Sequence, residues 1–264
     1  MSRVLNVILT HQRSAEVERL LTWWSRYAPI ENLLIAYGGT EEEFEKLPAV
    51  SRVFVADPQL RVNKSREKQS YIGAFRAAAE WLAGAENRAF THVFFAEFDH
   101  LPLVDDLAAK LLERLDEQRA DILGHRPRRI DGTSNVHYLH HVADPRFVEF
   151  WRRISVREDK ETVLHMLSTG SFWSRDAFFS LAAQVQEVPV YLEIYLPTAA
   201  HHLGYRVKGF GDQSRCIFPA EVLGLSVETA RQQGCWTVHP IKSCPPVDSS
   251  TTVRQQRAEA HSQS

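Results

Sequence analysis

Residues 91–100 read Thr-His-Val-Phe-Phe-Ala-Glu-Phe-Asp-His, an apolar run that ends in two carboxylates one residue apart. A short run rich in aromatic residues is typical of a buried strand. Side chains at the carboxyl end of a parallel strand reach the crevice where open α/β sheets bind ligands. In an extended chain Glu97 and Asp99 lie on one face, where a divalent cation that also binds phosphate would relieve their repulsion. The alternative is that Asp99 or Asp105 caps a following helix.

The composition is that of an ordinary soluble domain. The chain is 44% hydrophobic and 24% charged, as is usual for a soluble globular protein. Its 264 residues are enough for one large α/β domain or two small ones. A formal net charge of -2 gives no basic field, so no nucleic-acid partner is expected. No apolar run is long enough for a secretion signal or a membrane span, while peripheral membrane contact stays open. Three cysteines that match no zinc pattern, Cys216, Cys235 and Cys244, favour reduced thiols in the cytoplasm.

Apolar runs and helical periodicity alternate along the first hundred residues. Strands are predicted at residues 4–10, 33–37, 52–56 and 93–96. Helices are predicted between them, the first one capped by Ser14. This order predicts parallel strands joined by crossover helices. The first strand opens onto Thr10-His11-Gln12-Arg13, so the sequence has neither the glycine-rich dinucleotide fingerprint nor the phosphate loop at this point.

The second half has fewer clear signals. A strand end is predicted near Gly124, a helix over residues 193–203 and a final strand over residues 205–210. Residues 169–173 are predicted to form a strand or turn that leads into a helix capped by Ser174. Two basic clusters, at residues 61–68 and 125–129, are typical of solvated loops, although a ligand site is the alternative.

The chain resembles the A-type nucleotide-sugar glycosyltransferases, in particular the bacterial family-2-like type. Four segments carry the likeness, which covers most of residues 1–240: the polar turn at residues 7–13, Glu97-Phe98-Asp99, residues 169–176 and residues 191–207. The acidic pair is similar to the family's Asp-any-Asp metal motif with Glu in the first place. Residues 191–207 look like the segment that bears the family's acidic residue, followed by a Gly-Tyr-Arg-Val strand.

The resemblance implies a single A-type glycosyltransferase domain, Rossmann-like, with a mostly parallel central sheet, over residues 1–246. The nucleotide-binding half would be about residues 1–104 and the acceptor-side half about residues 105–246. Residues 247–264 are polar and are predicted to form a disordered tail.

The implied activity is a metal-dependent, inverting transfer of a hexosyl or related sugar. The donor would be a nucleotide diphosphate sugar, and the acceptor a carbohydrate or other hydroxyl compound. Mn²⁺ or Mg²⁺ would neutralise the diphosphate leaving group. The predicted metal ligands are Asp99, Glu97 and His239, the last because some members of the family supply a late histidine ligand. A capping or surface histidine is the alternative for His239.

Glu193 is the predicted general base, because an inverting transfer needs one carboxylate to deprotonate the acceptor hydroxyl. The alternative is that Glu193 only starts a helix, since the helix dipole favours acids in the first turn.

Five further residues are predicted to bind the donor. Thr10 and Tyr37 would line the pocket of the base, and Asp57 would accept hydrogen bonds from the base or ribose. For Asp57 the alternative is a turn before Pro58. Lys64 and Arg66 would bind phosphate oxygens.

Two other functions remain as alternatives. The first is a non-catalytic nucleotide- or carbohydrate-binding module, which would need neither Asp99 nor Glu193. The second is a nucleotidyltransferase, which would normally carry a glycine-rich basic loop after the first strand. Fold analogy by itself does not decide between these functions.

Overall fold

The computed structural model describes residues 3–56, 72–142, 145–184, 191–211 and 226–241. Several predicted features lie outside the described residues: Asp57, Lys64, Arg66, Cys216, Cys244, the basic cluster at 61–68 and the tail at 247–264.

The strands are β1 (Arg3–Thr10), β2 (Leu33–Tyr37), β3 (Arg52–Phe54), β4 (Phe90–Glu97), β5 (Leu101–Pro102), β6 (Ile122–Arg129), β7 (Leu164–Ser174), β8 (Val207–Gly209) and β9 (Thr237–Val238). The helices are α1 (Ser14–Trp24), α2 (Glu41–Glu45), α3 (Ile72–Leu82), α4 (Leu107–Glu117), α5 (Val136–Val142), α6 (Pro145–Ile154), α7 (Arg175–Ala183), α8 (Leu192–His202) and α9 (Val227–Gln232).

In the described part of the chain, seven strands form one sheet in the order β3-β2-β1-β4-β7-β6-β8. The first four pair in parallel, and β6 pairs in parallel with β8. Strand β7 is antiparallel to both of its neighbours, β4 and β6. The predicted fold class, a single Rossmann-like α/β domain with a mostly parallel central sheet, is confirmed. A separate two-stranded sheet pairs β5 with β9.

The central strands bury both faces, which explains their continuous apolar runs. On β4, Val93 and Phe95 face the core formed with α3, α6, α7 and α8, where Phe95 packs 4.4 Å from the ring of Phe75. Phe94 and Ala96 face the opposite core, formed with α1, α4 and α9. The four side chains are at most 1% exposed. Within the described ranges, no helix has both the length and the apolar character needed to cross a bilayer.

Two of the predicted helix caps have different outcomes. Ser174 caps α7 as predicted, because its side chain accepts a hydrogen bond from the N–H of Ala177. The predicted cap at Ser14 is wrong, since Ser14 is the first helical residue and Arg13 precedes the helix. The N–H of Ser14 donates to Oε2 of Glu43 at 2.8 Å. A carboxylate from α2 therefore satisfies an N–H of the first turn of α1.

Two other expectations are also corrected. Residues 125–129 form the second half of β6 rather than a loop, although Arg126, Arg128 and Arg129 are exposed on it. Neither Asp99 nor Asp105 caps α4, which begins after Asp106 without a side-chain cap.

Arg175, the first residue of α7, connects three segments that surround the start of β4. Its guanidinium donates to the carbonyl oxygens of Leu82 (2.8 Å), Asn87 (3.0 Å) and Phe90 (2.8 Å). These oxygens belong to the end of α3, to a short 3₁₀ turn and to the first residue of β4. One side chain thus fixes where β4 enters the sheet.

Replacing Arg175 is expected to destabilise the fold. Arg175→Ala leaves three carbonyl oxygens without their charged donor, which should lower the free energy of unfolding by about 2 kcal/mol. Arg19→Ala is the control, because Arg19 forms an exposed ion pair with Glu16 on α1, and the loss of that pair should cost at most about 0.5 kcal/mol. Urea unfolding of both variants measures the difference, and equal losses would show that Arg175 does not have this role.

Candidate active site

The carboxyl ends of β1, β2 and β4 meet at one edge of the sheet. Leu9 is in register with Glu97, and Thr10 with Tyr37. The N–H of Phe98 extends this alignment past the end of β4 by donating to the carbonyl of Leu9 at 2.9 Å. The predicted acidic pair and the predicted base-pocket residues therefore share one edge, as expected for parallel strands.

The chain turns immediately after β4, which changes the relation between the two acids. Strand β4 ends at Glu97, and the N–H of His100 donates to the carbonyl of Glu97 at 2.9 Å. The prediction that Glu97 and Asp99 lie on one face of an extended chain is wrong, because the two-residue alternation of side chains stops where the strand stops. Asp99 is 2% exposed, whereas Glu97 is partly exposed.

His239 reaches Asp99 through the small sheet. Strand β9 pairs with β5 at Leu101 and Val238, two residues after Asp99 and one residue before His239. On the other side of His239, the N–H of Ile241 donates to the carbonyl of Asp99 at 2.8 Å. These contacts place Nε2 of His239 at 3.2 Å from Oδ1 of Asp99.

Asp99 and His239 have the chemistry and spacing of two ligands of one divalent cation. A carboxylate oxygen can bind Mg²⁺ or Mn²⁺, and the addition of an imidazole nitrogen favours Mn²⁺ slightly. Two atoms that share an octahedral ion at about 2.1 Å lie about 3 Å apart, close to the observed separation. In the residues the structure describes, no three His, Cys, Asp or Glu side chains are grouped so as to hold a metal ion. The predicted ligands Glu97, Asp99 and His239 are all described, and the structure does not bring the three together as one metal-binding group.

Glu193 lies in the first turn of α8, as predicted. Helix α8 is fixed over β7 by Thr198, whose hydroxyl accepts from the N–H of Leu164 (2.9 Å) and donates to the carbonyl of the same residue (3.0 Å). Burial raises the pKa of the Glu193 carboxyl, and the charges of His137 and His239 lower it to a smaller extent. The charge of His239 thus acts on the carboxyl group of Glu193.

Four more histidines surround these groups, and the sequence analysis missed them. His100 stacks on His239 with ring centroids 5.4 Å apart. Burial, followed by the charges of Arg126 and His239, lowers the pKa of His125 to about 4.

The other two histidines lie near Glu193. The rings of His137 and His165 are 5.5 Å apart, and that of His137 stacks on Tyr191 at 4.8 Å. The sequence shows that the chain has 12 histidines, but their number does not reveal which of them lie close together in the fold.

Thr10 and Tyr37 hold the polar turn after β1. Both are 1% exposed. The hydroxyl of Thr10 accepts from the N–H of Gln12 at 3.1 Å, and the hydroxyl of Tyr37 donates to the carbonyl of Gln12 at 3.0 Å. The structure thus places the two residues behind the turn, and their contact with a base stays a prediction.

Comparison with known proteins gives structural similarity alone. No protein-family model matches the chain, and no curated protein sequence matches it significantly. A mannosyltransferase from Pyrobaculum calidifontis, solved with GDP-mannose and Mn²⁺, is similar over 78% of this chain with 15% identity and a TM-score of 0.42. The mannosyltransferase Ktr4p from S. cerevisiae is similar over 79% of it with 10% identity and a TM-score of 0.41.

The chain spans 54% of the length of the Pyrobaculum protein and 68% of that of Ktr4p. With TM-scores below 0.5, these similarities do not define the activity of this chain.

The lowered pKa of His165, which is partly buried, predicts how stability depends on pH. Burial, followed by the charges of Arg128 and His137, lowers the pKa of His165 to about 4, from about 6.5 in an unfolded chain. Between these values the unfolded chain binds more protons than the folded one, so stability is full above about pH 6.5 and is lost toward pH 4. His165→Gln should therefore make the free energy of unfolding fall less between pH 7 and pH 5 than it does in the wild type. Urea unfolding at both pH values tests this, and an unchanged pH dependence would contradict it.

Proposed function

We propose that the chain is a metal-dependent glycosyltransferase that moves a sugar from a nucleotide diphosphate sugar to a hydroxyl acceptor with inversion. One observation carries the proposal. At the carboxyl end of β4 a buried carboxylate, Asp99, lies 3.2 Å from the late histidine His239, and the charge of His239 acts on a third ionisable group, Glu193. A cation-binding pair beside a carboxylate of raised pKa is what this transfer requires.

Asp99 and His239 would hold the cation, and Glu97 would contact it directly or through water. When bound, a divalent cation supplies positive charge that offsets the charge developing on the leaving diphosphate. The separation of the two atoms and the burial of Asp99 support this role. A buried carboxylate is costly unless a positive group compensates it.

Glu193 would act as the general base. Its carboxylate accepts the proton of the acceptor hydroxyl while that oxygen bonds to the anomeric carbon and the bond from carbon to diphosphate breaks. A base works best when its pKa is close to the working pH, and burial shifts the pKa of Glu193 in that direction. Because a single carboxylate serves as base and forms no bond to the sugar, the configuration at the anomeric carbon inverts.

The donor would bind along the edge formed by β1, β2 and β4. Thr10 and Tyr37 support the turn at this edge. Asp57, Lys64 and Arg66, which lie outside the described residues, are proposed from the sequence to bind the ribose and the phosphates. The turn after β1 lacks glycine, which favours glycosyl transfer over nucleotidyl transfer.

Nucleotide binding should depend on a metal ion. We expect GDP or UDP to bind in the presence of Mn²⁺ and to lose affinity when a chelator is added. Asp99→Asn removes a charged ligand and should weaken the Mn²⁺-dependent binding about 10- to 100-fold. Isothermal titration calorimetry of the wild type and the variant measures both effects.

Asp106→Asn is the matched control for this experiment. Asp106 follows Asp99 closely in sequence but forms an exposed ion pair with Lys110 on α4. Its loss should leave nucleotide affinity unchanged. Equal affinity of the wild type with and without the chelator would overturn the metal-dependent function.

The proposed base gives a different signature. Glu193→Gln should leave Mn²⁺-dependent nucleotide binding intact and lower sugar transfer about 10²- to 10⁴-fold, the usual effect of removing a general base. GDP-mannose, the compound in the Pyrobaculum complex, and UDP-glucose are suitable donor probes. Release of nucleoside diphosphate in the presence of a mixture of acceptor sugars measures the rate.

Glu228→Gln separates catalysis from helix stabilisation. Glu228 also lies in the first turn of a helix, α9, so its substitution removes the same favourable interaction with the helix dipole. It should not lower transfer. If Glu193→Gln reduces donor affinity together with turnover, Glu193 binds the donor and is not the base.

A further inference from the structure

Two adjacent residues of β7 contact both ends of the turn that carries Asp99. Thr169, which is 2% exposed, accepts a hydrogen bond from the N–H of Glu97 at 2.8 Å. Gly170 contacts the ring of His100 at the other end of the turn. The last paired position between β4 and β7 joins Phe95 with the residue that follows Gly170. The contacts of Thr169 and Gly170 therefore extend the association of β4 with β7 beyond the last pair of residues in the sheet.

Gly170 has no room for a side chain. A Cβ at this position would lie 2.1 Å from Cε1 of His100, and 2.8 and 2.9 Å from the two ring nitrogens. Carbon atoms in van der Waals contact are about 3.5 to 4.0 Å apart, so even a methyl group would displace the ring. The backbone of Gly170 also has a φ of +73°, which glycine adopts without strain.

The ring of His100 cannot yield without moving its neighbours. It is fully buried. It stacks on His239 at 5.4 Å, with the ring planes 24° apart, and the ring of Phe94 meets it edge-on at 6.0 Å. His239 in turn contacts Asp99. A displacement of His100 would therefore reach the Asp99–His239 pair.

We propose that Thr169 and Gly170 are positioning residues that set the geometry of the Asp99–His239 pair. Thr169 fixes the start of the turn through the backbone of Glu97. Gly170 fixes its end by leaving the space that His100 occupies, so that the His100 ring supports the ring of His239. The consequence for metal binding rests on the proposed function, whereas the effect on the two imidazole rings does not.

Gly170→Ala is the central test, and Gly132→Ala is its matched control. Gly132 has a similar φ of +70°, but nothing lies within 4 Å of the position its Cβ would take. Both substitutions add a methyl group at a strained backbone, and only the first displaces a ring. We expect Gly170→Ala to weaken Mn²⁺-dependent GDP binding about tenfold or more, the scale observed when groups that orient metal ligands are changed, and Gly132→Ala to leave it unchanged. Thermal melting of each variant shows whether it is folded.

A second variant separates the ring contact from a general loss of structure. His100→Ala should also weaken the Mn²⁺-dependent binding, because it removes the support of His239. Adding Gly170→Ala to it should cause little further loss, since the methyl group then has space. Non-additivity of this kind indicates that the two residues act through one contact. Full additivity, or equal affinities for Gly170→Ala and Gly132→Ala, would overturn the proposal.

Histidine NMR resolves the proposal independently of the metal. The ¹⁵N and ¹H ring resonances of His100 and His239, assigned from single substitutions, should shift in Gly170→Ala and stay in place in Gly132→Ala. If the wild-type protein shows no Mn²⁺-dependent nucleotide binding, the proposed function fails, and these resonances still decide whether Gly170 positions the two rings. Unshifted resonances in a folded Gly170→Ala protein would rule out the positioning role.

Discussion

The carboxylate of Asp99 is almost completely withdrawn from water, and much of the surrounding structure serves this placement. Removing a charged group from water costs several kcal/mol unless a positive or hydrogen-bonding group compensates it. The imidazole of His239, a residue far away in sequence, lies 3.2 Å from Oδ1 of Asp99, and the small sheet of β5 and β9 brings the two together. The position of β4 in the centre of the large sheet, the turn after Glu97 and the pairing of β9 are thus parts of one arrangement.

The site keeps its ionisable groups in different environments. Glu193 lies in the first turn of α8, where burial favours its protonated form, and Asp99 lies against an imidazole. The different surroundings of the two carboxylates follow from the fold. The antiparallel strand β7 lies between β4, which leads to Asp99, and β6, and β7 also binds α8, which carries Glu193. Two carboxylates with different surroundings can serve different steps of one reaction. The same strand, through Thr169, also holds the backbone of Glu97.

Local features could be predicted from the sequence, and features that depend on distant contacts could not. Strands β1 to β4 and the Ser174 cap were found because apolar runs and capping residues are local signals. The prediction that Glu97 and Asp99 lie on one face of a strand was wrong, because the pattern of apolar and polar residues does not show that the strand ends at Glu97. The predicted Ser14 cap failed because the carboxylate of Glu43 approaches from another helix. The resemblance to glycosyltransferases suggested His239 as a ligand, but only pairing with β5 explains how it reaches the site. The histidine cluster depends entirely on such long-range packing.

The late arrival of β9 has a consequence for the synthesis of the protein. Domains begin to form from the N-terminal side while the ribosome is still translating, and every strand that the structure describes in the large sheet is complete once β8 has been made. His239 is added only after that point. The nascent chain therefore passes through a stage in which the described sheet is present and the Asp99–His239 pair is not. A chain terminated between β8 and β9 would contain every described strand of the central sheet and would leave Asp99 without its histidine neighbour.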